Sequence, residues 1–258
     1  MGNRAARIRT MASQDPIRIS GKGLGQLAMP GACARCFWLS RVVARLPYQV
    51  FLGIFSSIDS YSKKVVHGWF DRHGSAPPWL SDLGAISGYI DPPHHSRVGF
   101  VDEESGVHLT GAPDAVFTRP GGSLIIADYK TSKFTVAQGR LLPMYAVQVN
   151  AYALIAQQLG WPPVDALALI YTEPVTDLSA AHAVANQREH GFAMPFAAHI
   201  KSVPLAPARV RELMQKAAGI CRAERAPKSA RGCAECAWVR EMIDLLAGSP
   251  PDAEPPGF

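Results

Sequence analysis

Leu124-Ile125-Ile126-Ala127-Asp128-Tyr129-Lys130 is apolar until its aspartate. A short continuous run of this kind reads as a strand buried on both faces. Side chains alternate along a strand, so Asp128 and Lys130 point one way and Tyr129 the other. Upstream, residues 107–117 read as a partner strand, joined at Arg119-Pro120-Gly121-Gly122, a hairpin turn. The hairpin lays Asp114, which ends Gly111-Ala112-Pro113-Asp114, beside Asp128 and Lys130. Two carboxylates and one ammonium thus gather at the end of a sheet.

Working outward, residues 33–46 read as a short helix carrying Phe37, Trp38 and Leu39. Residues 56–73 read as a longer one, with Ser56 or Ser57 as N-cap and Gly74 just past the end. A strong helical pattern over 144–159 is closed by Gly160 and Pro162, and 206–225 is also helical. Residues 164–172 and 192–203 read as strands. Strands interleaved with helices in this order indicate an α/β fold bordering on α+β, with a mixed central sheet flanked by helices.

With 258 residues, 48% apolar and 18% charged, the chain has enough material for a real core. This composition excludes a disordered chain, a collagen and a disulfide-dense mini-domain. The expected organisation is a flexible basic tail (1–16), a single domain (17–248) and a disordered Pro-rich tail (249–258). The net charge of +5 includes Arg4, Arg7 and Arg9 near the start, and Asp252 and Glu254 near the end. Residues 11–248 carry the remaining +4, which permits a nucleic-acid partner without demonstrating one. No apolar run reaches the ~18 residues of a membrane helix, and no apolar h-region follows the first arginines. The expected compartment is the reducing cytoplasm, where structural disulfides are rare. The five cysteines then need another explanation.

Two carboxylates at close range repel unless a cation lies between them. Hard oxygen ligands suit Mg²⁺ or Mn²⁺, which can also hold a phosphate. A metal-bound water is a better nucleophile, and Lys130 could orient it or neutralise charge on the phosphate. The following helix adds Gln148 and Tyr152 at i and i+4, with Tyr145 at i−3 from Gln148, on one shared face.

This ordered set, Gly111-x-x-Asp114, Asp128-x-Lys130 and Gln148-x-x-x-Tyr152, resembles the PD-(D/E)XK nuclease superfamily, in particular its RecB-like branch. Cys33-Ala-Arg-Cys36-Phe-Trp-Leu39 and Cys233-Ala-Glu-Cys236-Ala-Trp-Val-Arg240 are similar to the terminal cysteine segments of such proteins. The resemblance implies a restriction-endonuclease-like core with Asp114, Asp128 and the Tyr129 carbonyl as metal ligands. Lys130 would be the catalytic lysine, and Gln148 and Tyr152 would shape the site. Many relatives add a His or Glu ligand from the helix before the sheet; Asp59 is favoured here over His67.

Cys33-x-x-Cys36 and Cys233-x-x-Cys236 are chelating half-sites at opposite ends of the domain. Together they could hold Zn²⁺ or a [4Fe–4S] cluster, clasping the two terminal segments. Iron–sulfur relatives use one N-terminal and three C-terminal cysteines, so this two-plus-two pattern departs from them and leaves both metals open. Cys221 reads as a core thiol. Lys63, Lys64, Lys133 and Arg140 are candidate phosphate contacts. The expected function is metal-dependent DNA hydrolysis on single strands or ends, as an exonuclease of DNA repair, recombination or defence. The alternative is a nucleic-acid-binding or assembly module on the same fold that has lost catalysis.

Overall fold

The computed structural model describes residues 16–42, 53–133, 135 and 139–248. Both expected tails, apart from Pro16, lie outside the described residues. In chain order the elements are β1 (Ile17–Ser20), α1 (Gly21–Gly25), α2 (Ala34–Val42), α3 (Gly53–His73), β2 (Gly88–Ile90), β3 (Gly99–Asp102), β4 (Val107–Thr110), β5 (Ala115–Thr118) and β6 (Leu124–Thr131). After them come α4 (Leu142–Gln158), β7 (Val164–Pro174), α5 (Leu178–His182), β8 (Gln187–Arg188), β9 (Gly191–Phe192), β10 (Phe196–Val203), α6 (Pro207–Cys221) and α7 (Ala234–Gly248), with short 3₁₀ turns between.

The central sheet has the order β10-β7-β6-β5-β2. β6 pairs antiparallel with β5 and parallel with β7, and the outer pairs are antiparallel. The sheet is therefore mixed. α4 forms the crossover between the parallel strands β6 and β7. As the apolar run implies, residues 124–129 of β6 are all buried. Alternation divides them between two cores: Ile125, Ala127 and Tyr129 pack with Val66 and Phe70 of α3, and Ile126 packs with Val149, Tyr152 and Ala153 of α4. A third core joins the remaining face of α4 to α6 and to a small second sheet, β1-β4-β3. Residues Val147–Ala156 of α4 are consequently buried on every side, as expected of a helix that is apolar all round. Cys221 lies in that third core, 1% exposed.

One expectation changes in kind. Residues 107–117 are not one strand: β4 belongs to the small sheet and β5 to the large one. The chain leaves β4 at Gly111, whose φ of +143° is open to glycine and costly for other residues. Pro113, which has no N–H to give a ladder, follows it. This break lifts Asp114 out of the ladder and frees its carboxylate for the site. The hairpin turn at Arg119–Gly122 forms as expected, with the Arg119 N–H donating to the Ser123 carbonyl at 2.9 Å. β1, β2, β3 and α7 are elements that the hydrophobic pattern does not reveal.

Candidate active site and cysteine clasp

Asp128 and Lys130 project from β6 towards α4 and meet Gln148 there. The Asp128 carboxylate is paired with the Lys130 ammonium through Oδ2 and accepts a hydrogen bond from Gln148 Nε2 at 3.0 Å through Oδ1. Lys130 also donates to Gln148 Oε1 at 3.0 Å and lies 4.2 Å from the centre of the Tyr145 ring. Gln148 Nε2 donates in turn to the Tyr152 hydroxyl oxygen at 2.7 Å. One glutamine side chain therefore holds Asp128, Lys130 and Tyr152 together. The i, i+4 spacing of Gln148 and Tyr152 is what permits this.

Asp114 closes the other side. Its Oδ2 accepts the Tyr129 backbone N–H at 3.1 Å, and its Oδ1 pairs with Lys63 of α3 at 2.9 Å. Asp114, Asp128, Lys130, Gln148 and Tyr152 line one cavity of about 390 Å³. Asp128 is only 2% exposed. Burial first, and the charge of Asp114 second, push its pKa up from 3.8 to about 7 against the opposing pull of Lys130. A buried carboxyl held in this state takes up a cation readily once its proton leaves. The two adjacent acids, with hard oxygens aimed into one cavity, thus fit a divalent Mg²⁺ or Mn²⁺.

Tyr152 is tied to the glycine motif as well as to Gln148. A Cβ on Gly111 would lie 2.8 Å from Tyr152 Cε1. The glycine of Gly111-x-x-Asp114 is thus the floor against which the tyrosine of Gln148-x-x-x-Tyr152 packs. Gly111→Ala is expected to cost about 3 kcal/mol, from positive φ and overpacking together. It should lower any cleavage activity by releasing Gln148. Denaturant unfolding and an activity assay on the same variant check both.

The structure brings together more than the motifs predict. Asp59, Lys63 and His67 succeed one another at i, i+4 and i+8 along α3. Asp59 Oδ1 accepts from the Thr131 hydroxyl at 2.9 Å and lines the same cavity as Asp128. His67 stacks on Tyr89 and lies 3.5 Å from Asp91, in an adjoining cavity that shares Asp114. Lys63, expected among the phosphate contacts, sits on a carboxylate; Lys64, Lys133 and Arg140 are exposed. Lys22, which belongs to none of the motifs, also lines the cavity, from α1. It gets there because α1 presses directly on α4. A Cβ on Gly21 would fall 2.9 Å from Ala151 Cβ, and one on Gly25 would fall 2.4 Å from the Met144 carbonyl oxygen. The signal was the glycine at every second position of Gly21-Lys22-Gly23-Leu24-Gly25.

The sequence model of the PD-(D/E)XK nuclease superfamily matches residues 65–240, which contain Asp114, Asp128, Lys130, Gln148 and Tyr152. The chain belongs to the PD-(D/E)XK nuclease superfamily. A search of curated proteins returns no match. This PD-(D/E)XK chain has the mixed sheet between helices that its motifs imply, and its superfamily is one of nucleases that use divalent metals and act on nucleic acid. Among its described residues no helix is long and apolar enough to cross a membrane.

The PD-(D/E)XK domain is closed by the four cysteines, whose sulfur atoms all lie within 4.8 Å of one another. Each pair sits at the start of a helix in the same way. The Cys33 carbonyl accepts from the Phe37 N–H at 3.0 Å, and the Cys233 carbonyl accepts from the Ala237 N–H at 3.1 Å. Cys36 and Cys236 then fall in the first turns of α2 and α7. Three further bonds tie the segments together. Arg35 Nε donates to the Pro227 carbonyl at 2.8 Å, Trp38 Nε1 to the Ala223 carbonyl at 3.2 Å, and the Ala230 N–H to Cys33 Sγ at 3.3 Å.

Proposed function

We propose that this chain is a metal-dependent deoxyribonuclease that hydrolyses phosphodiester bonds on single strands or DNA ends, as an exonuclease. The observation that carries this reading is the convergence of Asp114, Asp128 and Lys130 on one cavity, locked by Gln148. Asp114 and Asp128 are the metal ligands, joined by the Tyr129 backbone carbonyl. A bound Mg²⁺ or Mn²⁺ supplies Lewis acidity to the scissile phosphate and lowers the pKa of a water molecule. Lys130, held between Asp128, Gln148 and the Tyr145 ring, places a positive charge where the phosphate becomes more negative. Gln148 keeps Lys130 and Asp128 in register, and Tyr152 fixes Gln148. Asp59 is the further ligand favoured on α3, since it shares the cavity of Asp128. Metal affinities of Asp59→Ala and His67→Ala separate these two.

Lys22 is the phosphate contact best placed in this cavity, because Lys63 and Lys130 are each drawn to a carboxylate. Lys22→Ala is expected to raise KM for DNA about tenfold with little change in kcat, and to reduce the salt dependence of binding by about one charge. Lys22→Arg should restore most of the affinity. Steady-state kinetics across a salt series reads all three.

A groove of about 660 Å³ supports the preference for unpaired DNA. It is lined by Tyr61, Val65, Trp79 and Phe196 and reaches Thr172, whose hydroxyl lies 3.4 Å from that of Thr131 in the catalytic cavity. Aromatic surface continuous with a catalytic site suits the stacking of splayed bases. The test compares end-labelled single strands, blunt duplex and closed single-stranded circles in Mg²⁺ and in Mn²⁺. Cleavage of linear single strands, with circles spared, is the expected result. Preference for duplex or rapid cutting of circles would refute the substrate assignment. A non-cleaving binding module is the second reading, favoured by the Lys63–Asp114 ion pair, which engages one of the two acids. DNA binding that survives Asp114→Ala, with no cleavage in any metal, would establish it.

A further inference from the structure

We infer that the cysteine clasp is built for a single tetrahedral metal ion, zinc, and not for the [4Fe–4S] cluster found in iron–sulfur relatives. Size separates the two. Cys33 Sγ lies 3.7 Å from Cys236 Sγ, and Cys36 Sγ lies 3.5 Å from Cys233 Sγ and 3.4 Å from Cys236 Sγ. All four sulfurs lie within 4.8 Å of one another. A tetrahedron with Zn–S bonds of about 2.3 Å has sulfur–sulfur edges of about 3.8 Å. A cubane cluster holds its four thiolates at its outer corners, with edges on the order of 6 Å. To admit four irons and four sulfides, every edge of this clasp would have to open by more than 1 Å from its 4.8 Å limit. The sulfurs are equally far from disulfide bonding, which needs about 2.0 Å, and all four cysteines are free.

The surroundings agree with the size. The two half-sites are equivalent, one cysteine preceding each helix and one in its first turn, so the partial positive charge of two helix N-termini converges on the four sulfurs. The Ala230 N–H donates to Cys33 Sγ, an outer hydrogen bond of the kind that orients a metal-bound thiolate. With all four tetrahedral positions filled by protein, the site is closed and structural. Among metals that accept four thiolates singly, zinc is the common choice.

The inference stands apart from the nuclease reading, because its readouts are metal content and spectrum. The full chain is purified anaerobically without added metal, and zinc, iron and acid-labile sulfide are measured per chain. The expected result is one zinc, no sulfide and no absorption near about 400 nm. A brown protein with about four irons and matching sulfide overturns the inference, as does a single iron in place of zinc. Exchange with Co²⁺ keeps the test independent of the acidic site, since sulfur-to-cobalt charge-transfer bands report thiolate ligands alone. One equivalent of Co²⁺ giving those bands, and their loss when Zn²⁺ is added back, supports the single-ion clasp. A wild-type chain that shows no such bands and retains no zinc overturns it.

Discussion

Asp128→Ala is expected to lower metal-dependent DNA cleavage by about a thousandfold or more, a loss of ~4 kcal/mol of transition-state stabilisation. The size follows from what the residue does at once. Asp128 holds Lys130 and accepts from Gln148, and in the proposed reaction it would also offer a buried oxygen to the metal. Removing it leaves Lys130 and Gln148 without the group that positions both. The same residue sets a pH dependence whose sign can be worked out. In the metal-free fold its pKa is raised from 3.8 to about 7 by burial and by Asp114. Between those values the folded chain keeps a proton that the unfolded chain has lost. Ionisation of Asp128 therefore costs stability as pH rises through that window. Metal binding requires the proton to leave. Affinity for Mg²⁺ should climb as pH rises towards about 7 and level off above it. The acid limb of the activity profile should move to lower pH as Mg²⁺ is raised, because the ion competes with the proton. Rate–pH profiles at two Mg²⁺ concentrations read this directly; a limb that stays fixed would detach Asp128 from the metal.

Cys236→Ser is expected to lower the melting temperature by about 10 °C or more. Cys236 is the one buried residue of α7, while Trp238 and Ile243 on the same helix are each 59% exposed. Apolar packing therefore contributes little to holding this helix, and the clasp is its main attachment. With the single ion inferred above in place, losing one of its four thiolates would remove several kcal/mol of metal-coupled folding energy. A domain of this size shifts by about 2–4 °C per kcal/mol. α7 should also lose hydrogen-exchange protection before the central sheet does, since the sheet has cores of its own. Calorimetry and exchange on the full chain check both effects. A shift below ~2 °C would mean that the clasp carries no ligand.

The candidate site is legible in the sequence because it follows two simple periods. Asp128 and Lys130 obey the strand period of two, and Gln148 and Tyr152 obey the helical i, i+4. β6 and α4 are equally plain, since both are buried on all sides and their apolar runs are nearly unbroken. β1, β2 and β3 are three or four residues long, too short for any period to register. The break at Gly111 is written in the sequence, but only a φ that suits glycine and the nearness of Tyr152 show why it splits one expected strand into two. Lys63 and Lys22 come to the site through the approach of α3 and α1 to the sheet and to α4. Such tertiary proximity leaves no local pattern. Trp79 likewise bears no local mark of its place, which is defined only once its groove partners Tyr61 and Phe196 come together.

The most direct test is cleavage of a linear, end-labelled single strand by the 258-residue chain in Mn²⁺ and in excess chelator, beside Asp114→Ala and Lys130→Ala. Products are expected from the wild type in Mn²⁺ alone, and at least a hundredfold less, about 2.7 kcal/mol, from either variant. Equal cleavage by all three proteins, or cleavage that persists in chelator, would contradict the proposed function.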